Sequence, residues 1–310
     1  MSAPSEGILT LEGLKAACLA GKKAVISQAL TALEVKAENP SVLALLDEAR
    51  SNMEGRIVGL TGPPGVGKSS LSKELIAAWR KDGKTVAVIA VDPSSRLSGG
   101  ALLGDRIRLA GKSDDAGVFI RSMAARKRLG GVADIAFPAA TLLAALYDIV
   151  LIETVGVGQS EADVAMIADV VVFCVQPAAG DSLQFMKAGV MELPDVFVVT
   201  KADLGALANQ ARAELEGALG LILGRAALPP ILSVSARKGI GIKNVIEAIS
   251  AIDEVPDRRA SQLTSWAEDR VTDLFGRVGW DQVSNAFPEG GVWVLRPFSH
   301  LANVKNRLYP

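Results

Sequence analysis

A glycine-rich octapeptide constrains the fold of this chain more than any other stretch. It reads Gly62-Pro63-Pro64-Gly65-Val66-Gly67-Lys68-Ser69 and fits the pattern G-x-x-x-x-G-K-[ST]. An apolar run over residues 57–60 precedes it, and a helical pattern follows it. In a strand–loop–helix arrangement of this kind, backbone amides and the helix N-terminus surround phosphate groups. The sequence therefore predicts a phosphate-binding loop.

The residues of this loop have separate predicted roles at a nucleotide. Its glycines let the backbone turn tightly and approach an anion closely. Lys68 adds a positive charge at the β- and γ-phosphates, and the Ser69 hydroxyl is suited to hold Mg²⁺. The predicted nucleotide-binding residues of this region are Gly62, Pro63, Pro64, Gly65, Val66, Gly67, Lys68, Ser69 and Ser70.

Apolar runs alternate with helical patterns after about residue 56. The predicted strands are residues 56–61, 85–91, 117–121, 148–153, 170–175, 195–200 and 231–235. This alternation predicts an α/β fold, here a P-loop NTPase with a mostly parallel sheet flanked by helices. Amphipathic patterns before residue 50 and over 258–277 predict helical N- and C-terminal extensions, whereas no element is predicted after residue 278. We expect an N-terminal helical extension (1–54), a P-loop GTPase domain (55–252) and a C-terminal helical or dimerisation segment (253–310).

Acidic residues follow predicted strands, at the edge where parallel sheets bind their ligands. Asp92 is expected to bind a metal-bound water or orient an attacking water, although an ordinary Asp-Pro turn also explains it. Glu153 has the position from which nucleotide switches reach Mg²⁺, and Gly156 can give its amide to the γ-phosphate. Asp105, in a glycine-containing loop, is either a metal carboxylate or a solvated acid. The predicted metal residues are Ser69, Asp92, Asp105 and Glu153, and the predicted catalytic residues are Lys68, Asp92, Glu153 and Gly156.

The tetrapeptide Thr200-Lys201-Ala202-Asp203 ends another predicted strand. A carboxylate at Asp203 can accept hydrogen bonds from the ring N–H and the amino group of guanine, and adenine offers neither donor in that arrangement. The stem of Lys201 can cover the base plane, and asparagine is usual where this chain has Thr200. Backbone amides after the last strand, at Ser235, Ala236 and Arg237, can meet the base carbonyl. The predicted ligand is therefore GTP or GDP.

Composition argues against several other classes of protein. Lys and Arg total 33 and Asp and Glu total 34, so nothing indicates a nucleic-acid partner. Cys18, Cys174 and His300 form no spaced cluster, which argues against a zinc or nickel site. The apolar stretch 164–175 is too short to cross a bilayer, and no signal peptide is recognised. We expect a cytoplasmic protein with no membrane partner.

These motifs resemble one family, the G proteins associated with methylmalonyl-CoA mutase (the MeaB/ArgK group). The resemblance covers about residues 50–250, and its most specific stretch is residues 153–161, ETVGVGQSE. It implies slow GTP hydrolysis with Mg²⁺, gated delivery of adenosylcobalamin to a cobalamin-dependent acyl-CoA mutase, protection of that mutase, and a homodimer. The loop at Gly180-Asp181, which the residues alone would mark as structural, resembles the family's additional switch loop that contacts the mutase.

Three other interpretations stay open at this stage. An ATPase or kinase-like component associated with amino-acid transport would accept ATP as readily as GTP. A nickel-insertion GTPase would need a His/Cys cluster, and a nucleotide-dependent interaction module would bind GTP without hydrolysing it. The basic segment 121–128 either neutralises phosphate, docks an acidic partner or forms a solvated loop.

Overall fold

The computed structural model describes residues 10–93, 115–125, 136–154, 160–177, 191–224, 228–253, 255–287 and 296–308. The chain forms two compact units. A helical unit draws on Met1–Arg56, Ile135–Asp148 and Glu254–Pro310, and a sheet unit draws on Ile57–Asp134 and Ile149–Asp253. The division into segments 1–54, 55–252 and 253–310 stays a prediction.

A seven-stranded sheet is the centre of the sheet unit. Its strands are β1 (Arg56–Thr61), β2 (Val86–Pro93), β3 (Val118–Ala125), β4 (Ile149–Glu153), β5 (Val170–Val175), β6 (Val196–Val199) and β7 (Ile231–Ser233). They lie in the order β3-β2-β4-β1-β5-β6-β7. The pairs β1–β5, β2–β3, β2–β4, β5–β6 and β6–β7 are parallel. The predicted parallel α/β fold is therefore confirmed, with a strand at every predicted position.

Helices connect these strands and form most of the helical unit. In chain order they are α1 (Leu11–Leu19), α2 (Lys23–Val35), α3 (Pro40–Ser51), α4 (Lys68–Lys81), α5 (Ala136–Ala144), α6 (Ser160–Ala165), α7 (Ala206–Ile222), α8 (Ile242–Ser250), α9 (Val255–Val283) and α10 (Pro297–Leu308). Among the described residues, no helix combines the length and apolar character needed to cross a bilayer.

The central strands of the sheet are buried on both faces. Cys174 of β5 packs in one apolar cluster with Leu75 of α4 and Val245 of α8. Its neighbour Phe173 points the other way and packs with Leu219 of α7. Because successive side chains of a strand alternate between faces, a strand covered on both sides must be apolar throughout. This explains why the buried strands are continuous apolar runs in the sequence.

Two aspartates complete the hydrogen bonding at the amino-terminal edge of the sheet. Asp169 Oδ2 accepts a hydrogen bond of 2.7 Å from the Ile57 amide, and Asp195 Oδ2 accepts one of 2.8 Å from the Val171 amide. Asp169 is fully buried. A buried amide without a partner is costly, so these carboxylates help fix where β1 and β5 begin.

The N-terminal part of the helical unit begins with well-capped helices. Thr10 Oγ1 accepts a hydrogen bond of 3.2 Å from the Gly13 amide at the start of α1. Asn39 Oδ1 accepts one of 2.9 Å from the Ser41 amide at the start of α3, where Pro40 occupies the first turn. Such side chains bond amides that have no partner inside the helix. The predicted N-terminal helical extension is thus present as α1, α2 and α3.

The C-terminal helices differ from the prediction in extent. Helix α9 runs beyond the predicted 258–277, and Gly276 interrupts it with a φ of 72° and a ψ of 179°. Trp266 of α9 stacks on Phe137 of α5 at a ring distance of 5.1 Å. Helix α10 lies in the region where the sequence predicts no element. Its start is bonded to the buried carboxylate of Asp47, which accepts hydrogen bonds of 2.9 and 3.3 Å from two α10 amides.

Candidate nucleotide-binding site

The glycine-rich loop joins the end of β1 to the start of α4. Gly62, Gly65 and Gly67 have φ values of 134°, 74° and 105°, a region that favours glycine. A Cβ atom at Gly62 would lie 2.3 Å from the Cys174 carbonyl oxygen of β5. The loop therefore needs glycine at position 62 for close packing on the neighbouring strand as well as for its backbone conformation.

Lys68 is the first residue of α4, directly after this loop. Its side chain is buried, and Nζ donates hydrogen bonds of 2.7 Å to the Gly62 carbonyl and 3.0 Å to the Pro63 carbonyl. Gly67 occupies the N-cap of α4 and supplies no side-chain cap to it. An ammonium group beside the amides of a helix N-terminus gives this end of the sheet a positive potential suited to phosphate.

A buried carboxylate lies beside the first turn of α4. Glu153, the last residue of β4, is 7% exposed. Its Oε1 accepts a hydrogen bond of 2.6 Å from the Ser69 hydroxyl, and its Oε2 accepts one of 2.7 Å from the Ser72 hydroxyl. The structure thus brings together Ser69 and Glu153, two of the residues predicted to serve the metal.

The chemistry of this pair fits a magnesium ion. A serine hydroxyl has one proton and two lone pairs, so Ser69 can donate to Glu153 and still offer a lone pair to a cation. Mg²⁺ in nucleotide sites takes one or two carboxylates and several phosphate or water oxygens rather than a cage of protein ligands. No group of three His, Cys, Asp or Glu side chains suited to a metal occurs within the described ranges.

Asp92 is predicted to lie beside the phosphate loop, and its strand β2 is separated from β1 by β4 in the strand order. Its position relative to a bound nucleotide stays a prediction. Within β2, Asp92 pairs with Ala124 of β3, two residues beyond the pairing of Ala90 with Glu153. The side chain of Asp92 is outside the described residues, as are Asp105, Gly156, the 178–190 stretch and the basic residues 126–128.

The residues predicted to recognise the base meet where β6 and β7 end. The Ser235 hydroxyl donates a hydrogen bond of 2.6 Å to Asp203 Oδ1, and the Ala202 amide donates one of 2.9 Å to the Val234 carbonyl. The Ser235 hydrogen bond, the largest cause, and a local backbone hydrogen bond lower the pKa of Asp203. Desolvation acts in the opposite direction, and the nearby charges of Lys238 and Arg237 lower the pKa further. A carboxylate held in its charged form is the acceptor that guanine requires.

Thr200 and Lys201 connect this segment to neighbouring strands and to the phosphate loop. The buried Thr200 hydroxyl donates a hydrogen bond of 2.7 Å to the Val66 carbonyl and lies 3.0 Å from the Val175 carbonyl. Lys201 has a φ of 53°, the only positive value outside glycine in the described chain. Its ammonium donates to Gln176 Oε1. A strained backbone of this kind persists only where surrounding contacts hold it.

Cys174, beneath the loop, is not suited to be a nucleophile. Burial raises its pKa to about 12, although the charge of Lys68 acts in the opposite direction and that of Glu153 adds to the rise. The reactive form of cysteine is the thiolate, so this thiol stays protonated and unreactive near neutral pH.

Some residues of the site could not be found from sequence patterns. Ser72 lies outside the G-x-x-x-x-G-K-[ST] motif, and a serine on a helix carries no signal of its own. The Thr154 hydroxyl donates a hydrogen bond of 2.9 Å to the Thr61 hydroxyl, which joins the residue after β4 to the residue before the loop. Both threonines are buried. Only their positions at the ends of adjacent strands could have suggested this contact.

Comparison with known proteins agrees with this geometry. A protein of Pyrococcus abyssi is 46% identical over 207 residues, and the match covers 65% of this chain but only 64% of that protein's length. A probable GTPase of Mycobacterium bovis is 38% identical over 289 residues, 88% of this chain and 86% of its own length. A mouse protein described as the mitochondrial methylmalonic aciduria type A homolog is 36% identical over 271 residues, 79% of this chain and 65% of its own.

A solved structure and a family model extend the comparison to most of the chain. The crystal structure of an LAO/AO transport system kinase superimposes with a TM-score of 0.65 and 26% identity, and covers 100% of both chains. The model of the family described as methylmalonyl Co-A mutase-associated GTPase MeaB matches residues 26–289. The glycine loop, the Ser69–Glu153 pair and Asp203 all fall inside this match, and the chain belongs to the MeaB family of mutase-associated GTPases.

Proposed function

We propose that this protein hydrolyses GTP to GDP and phosphate with Mg²⁺, and that it acts as a chaperone for a cobalamin-dependent acyl-CoA mutase. The observation that carries the proposal is the grouping of a phosphate loop, a hydroxyl–carboxylate pair and a charged aspartate at the carboxyl ends of parallel strands. Ligands bind at that edge in α/β sheets of this kind. The family match supports the GTPase assignment.

The residues of the loop would act on the triphosphate mainly by position and charge. The loop amides and the Lys68 ammonium bind the phosphate oxygens, and the ammonium exchanges its bonds to the Gly62 and Pro63 carbonyls for bonds to phosphate. Ser69 and Glu153, with Asp92 and Asp105, would hold Mg²⁺. The metal, when bound, neutralises charge on the phosphate oxygens.

Hydrolysis also requires that the attacking water be oriented toward the γ-phosphate. We assign that role to Asp92 and Glu153, and we assign binding of the γ-phosphate to the amide of Gly156. Gly156 comes three residues after Glu153, in the segment that follows β4. This segment would therefore contact the γ-phosphate of GTP and lose that contact on hydrolysis.

Selection of guanine would depend on Asp203 and its neighbours. In this proposal Asp203 accepts the two donors of guanine, Lys201 covers the base plane, and the amides of Ser235, Ala236 and Arg237 donate to the base carbonyl. An adenine in this position would leave the Asp203 carboxylate without its donors, which is a large penalty in a binding site.

The partner in this proposal is a mutase of the methylmalonyl-CoA type, as the family description states for its members. GTP-dependent changes in the loops after β4 and β5 would gate delivery of the cobalamin cofactor and protect the mutase. The protein would work in the cytoplasm as a homodimer formed through the C-terminal segment 253–310. These assignments rest on the family and on the ETVGVGQSE stretch at residues 153–161.

A nucleotide-dependent pull-down tests the proposal. The full chain is immobilised and offered a candidate acyl-CoA mutase with a non-hydrolysable GTP analogue, with GDP or with no nucleotide. We expect the amount of captured mutase to change with the nucleotide, and we expect the Lys68→Ala protein to show no such change. A mutase that is never captured, or is captured equally in all three conditions, would contradict the chaperone role.

Hydrolysis needs a separate measurement, because a nucleotide-dependent interaction module would pass the pull-down. Single-turnover hydrolysis of GTP with and without the mutase distinguishes the two. We expect slow conversion of bound GTP to GDP that depends on Mg²⁺ and is abolished in Glu153→Ala. No conversion by the native protein under either condition would leave an interaction module as the better description.

A further inference from the structure

A second serine, Ser72, also bonds the Glu153 carboxylate. Ser69 and Ser72 are three residues apart on α4 and therefore share one face of the helix. Each donates to a different oxygen of Glu153, at 2.6 and 2.7 Å. The phosphate-loop motif requires only the first of these serines, so the second needs its own explanation.

The environment of Ser72 makes the contact specific. Its side chain is fully buried, on a helix whose inward face otherwise carries Leu71, Leu75 and Trp79. A helical serine often bonds the carbonyl one turn back, but the Ser72 hydroxyl donates to Glu153. Because the Ser72 side chain is fully buried, water is not a ready substitute partner for its hydroxyl.

The hydrogen bond from Ser72 helps to hold the long side chain of Glu153 in one position. Its side chain has one more rotatable bond than aspartate, so it loses more conformational freedom when held in one position. A hydroxyl fixed on a helix restricts Oε2 and leaves Oε1 facing Ser69. Loss of a group that holds a metal ligand in its orientation commonly lowers metal affinity by roughly 10- to 100-fold.

We propose that Ser72 is a positioning residue that fixes the Glu153 carboxylate for a Mg²⁺ ion bound together with the nucleotide. The inference rests on the proposed Mg²⁺–guanine nucleotide site and adds a residue to it. Ser72 acts through Glu153, and its loss lets the carboxylate leave the orientation in which Oε1 and the Ser69 hydroxyl face the same ion.

Titration of Mg²⁺ into the full chain carrying a fluorescent GDP tests this role. Ser72→Ala should weaken Mg²⁺ binding by roughly 10-fold while the affinity for GDP in EDTA stays within about twofold of native. Ser51→Ala, which removes a serine hydroxyl from α3 of the helical unit, is the matched control and should leave Mg²⁺ binding as it is. Thermal unfolding of each variant shows that it is folded.

A double-variant cycle separates positioning from a general packing effect. In a Glu153→Ala background, Ser72→Ala should weaken Mg²⁺ binding no further, because its target is absent. Ser72→Cys keeps the shape and donates a weaker hydrogen bond, so it should fall between native and Ser72→Ala and serves if the alanine variant does not fold. An unchanged Mg²⁺ affinity in a folded Ser72 variant, or an equal loss in the Glu153→Ala background, overturns the inference.

The same titration distinguishes this inference from the proposal on which it rests. If GDP binding by the native protein shows no dependence on Mg²⁺, the proposed metal site fails and the role of Ser72 fails with it. If native binding depends on Mg²⁺ and folded Ser72→Ala matches it, only the role of Ser72 is refuted.

Discussion

At the scale of single residues, Ser235 bonds the Asp203 carboxylate and lowers its pKa. Its hydroxyl donates to Asp203 Oδ1 at 2.6 Å and is the largest cause of the lowered pKa of that carboxyl. The charged form, which in the proposed function accepts the guanine donors, therefore persists as the pH falls and is lost only below the lowered pKa. Ser235→Ala should move that pKa upward, so guanine affinity should begin to fall at a higher pH than in the native protein.

The measurement is GDP affinity from about pH 7 to about pH 4.5, the range that spans ordinary carboxyl titration. Native protein and variant are compared at each pH, so that titration of the nucleotide itself cancels. The ratio of native to Ser235→Ala affinity should widen as the pH falls, and Ser233→Ala serves as the control. A ratio that is constant over this range would show that Ser235 does not set the charge of Asp203.

The sequence was sufficient for some site residues because their chemistry is encoded locally. The spacing of Gly62 to Ser69 specifies a phosphate loop, and Glu153 ends an apolar run, which places it at the ligand-binding edge. Ser72 differs, because a helical serine has the same sequence appearance whether it faces solvent or a carboxylate. Its role depends on which strand lies beside α4, and no local pattern contains that information.

At the scale of elements, two of the glycines in the loop between β1 and α4 differ in the space around them. A Cβ at Gly62 would lie 2.3 Å from a β5 carbonyl oxygen, whereas a Cβ at Gly65 would meet nothing within 4 Å. Gly65→Ala should cost only backbone strain, about 1–2 kcal/mol of the free energy of unfolding. Gly62→Ala should cost more than about 4 kcal/mol or prevent folding, because the backbone must move.

Urea unfolding of the two variants without nucleotide compares these costs. Equal losses of stability at the two positions would show that β5 does not constrain the loop. Stability is the appropriate readout because both glycines also belong to the proposed nucleotide site, where affinity would fall for either change.

In the helical unit, a carboxylate of α3 accepts hydrogen bonds from amides at the start of α10. Asp47 is 5% exposed and accepts hydrogen bonds from the amides of Phe298 and Ser299. Asp47→Ala leaves these amides without their acceptor and should lower the free energy of unfolding by about 2 kcal/mol. Glu48→Ala, an exposed carboxylate on the same helix, should change it by less than about 0.5 kcal/mol. Chemical denaturation of both variants gives the comparison, and equal small effects would contradict the role of Asp47.

The elements themselves were more predictable than their arrangement. Buried parallel strands are continuous apolar runs, so each of the strands could be located from sequence. Their order could not, because no local pattern shows that β4 lies between β1 and β2. The break of α9 at Gly276 and the helix α10 were also missed, because Gly and Pro in an amphipathic region do not show where helices resume.

At the scale of the whole molecule, the chain does not divide at single points in its sequence. The helical unit collects both terminal segments and Ile135–Asp148 from the middle of the chain. Helix α5 lies in that middle segment, and its side chains are all buried. A segment that is apolar on every side gives no amphipathic signal, so sequence periodicity could not assign it to the terminal helices.

The central claim is that the bound ligand is a guanine nucleotide selected by Asp203 and held by the loop around Lys68. Displacement of a fluorescent GDP from the full chain by GDP or ADP tests it most directly, with Asp203→Asn as the matched variant. ADP should require at least about 100-fold more nucleotide than GDP, and Asp203→Asn should lose most of that difference. Displacement by ADP at the same concentration as GDP would contradict the claim and favour an ATP-using, kinase-like protein instead.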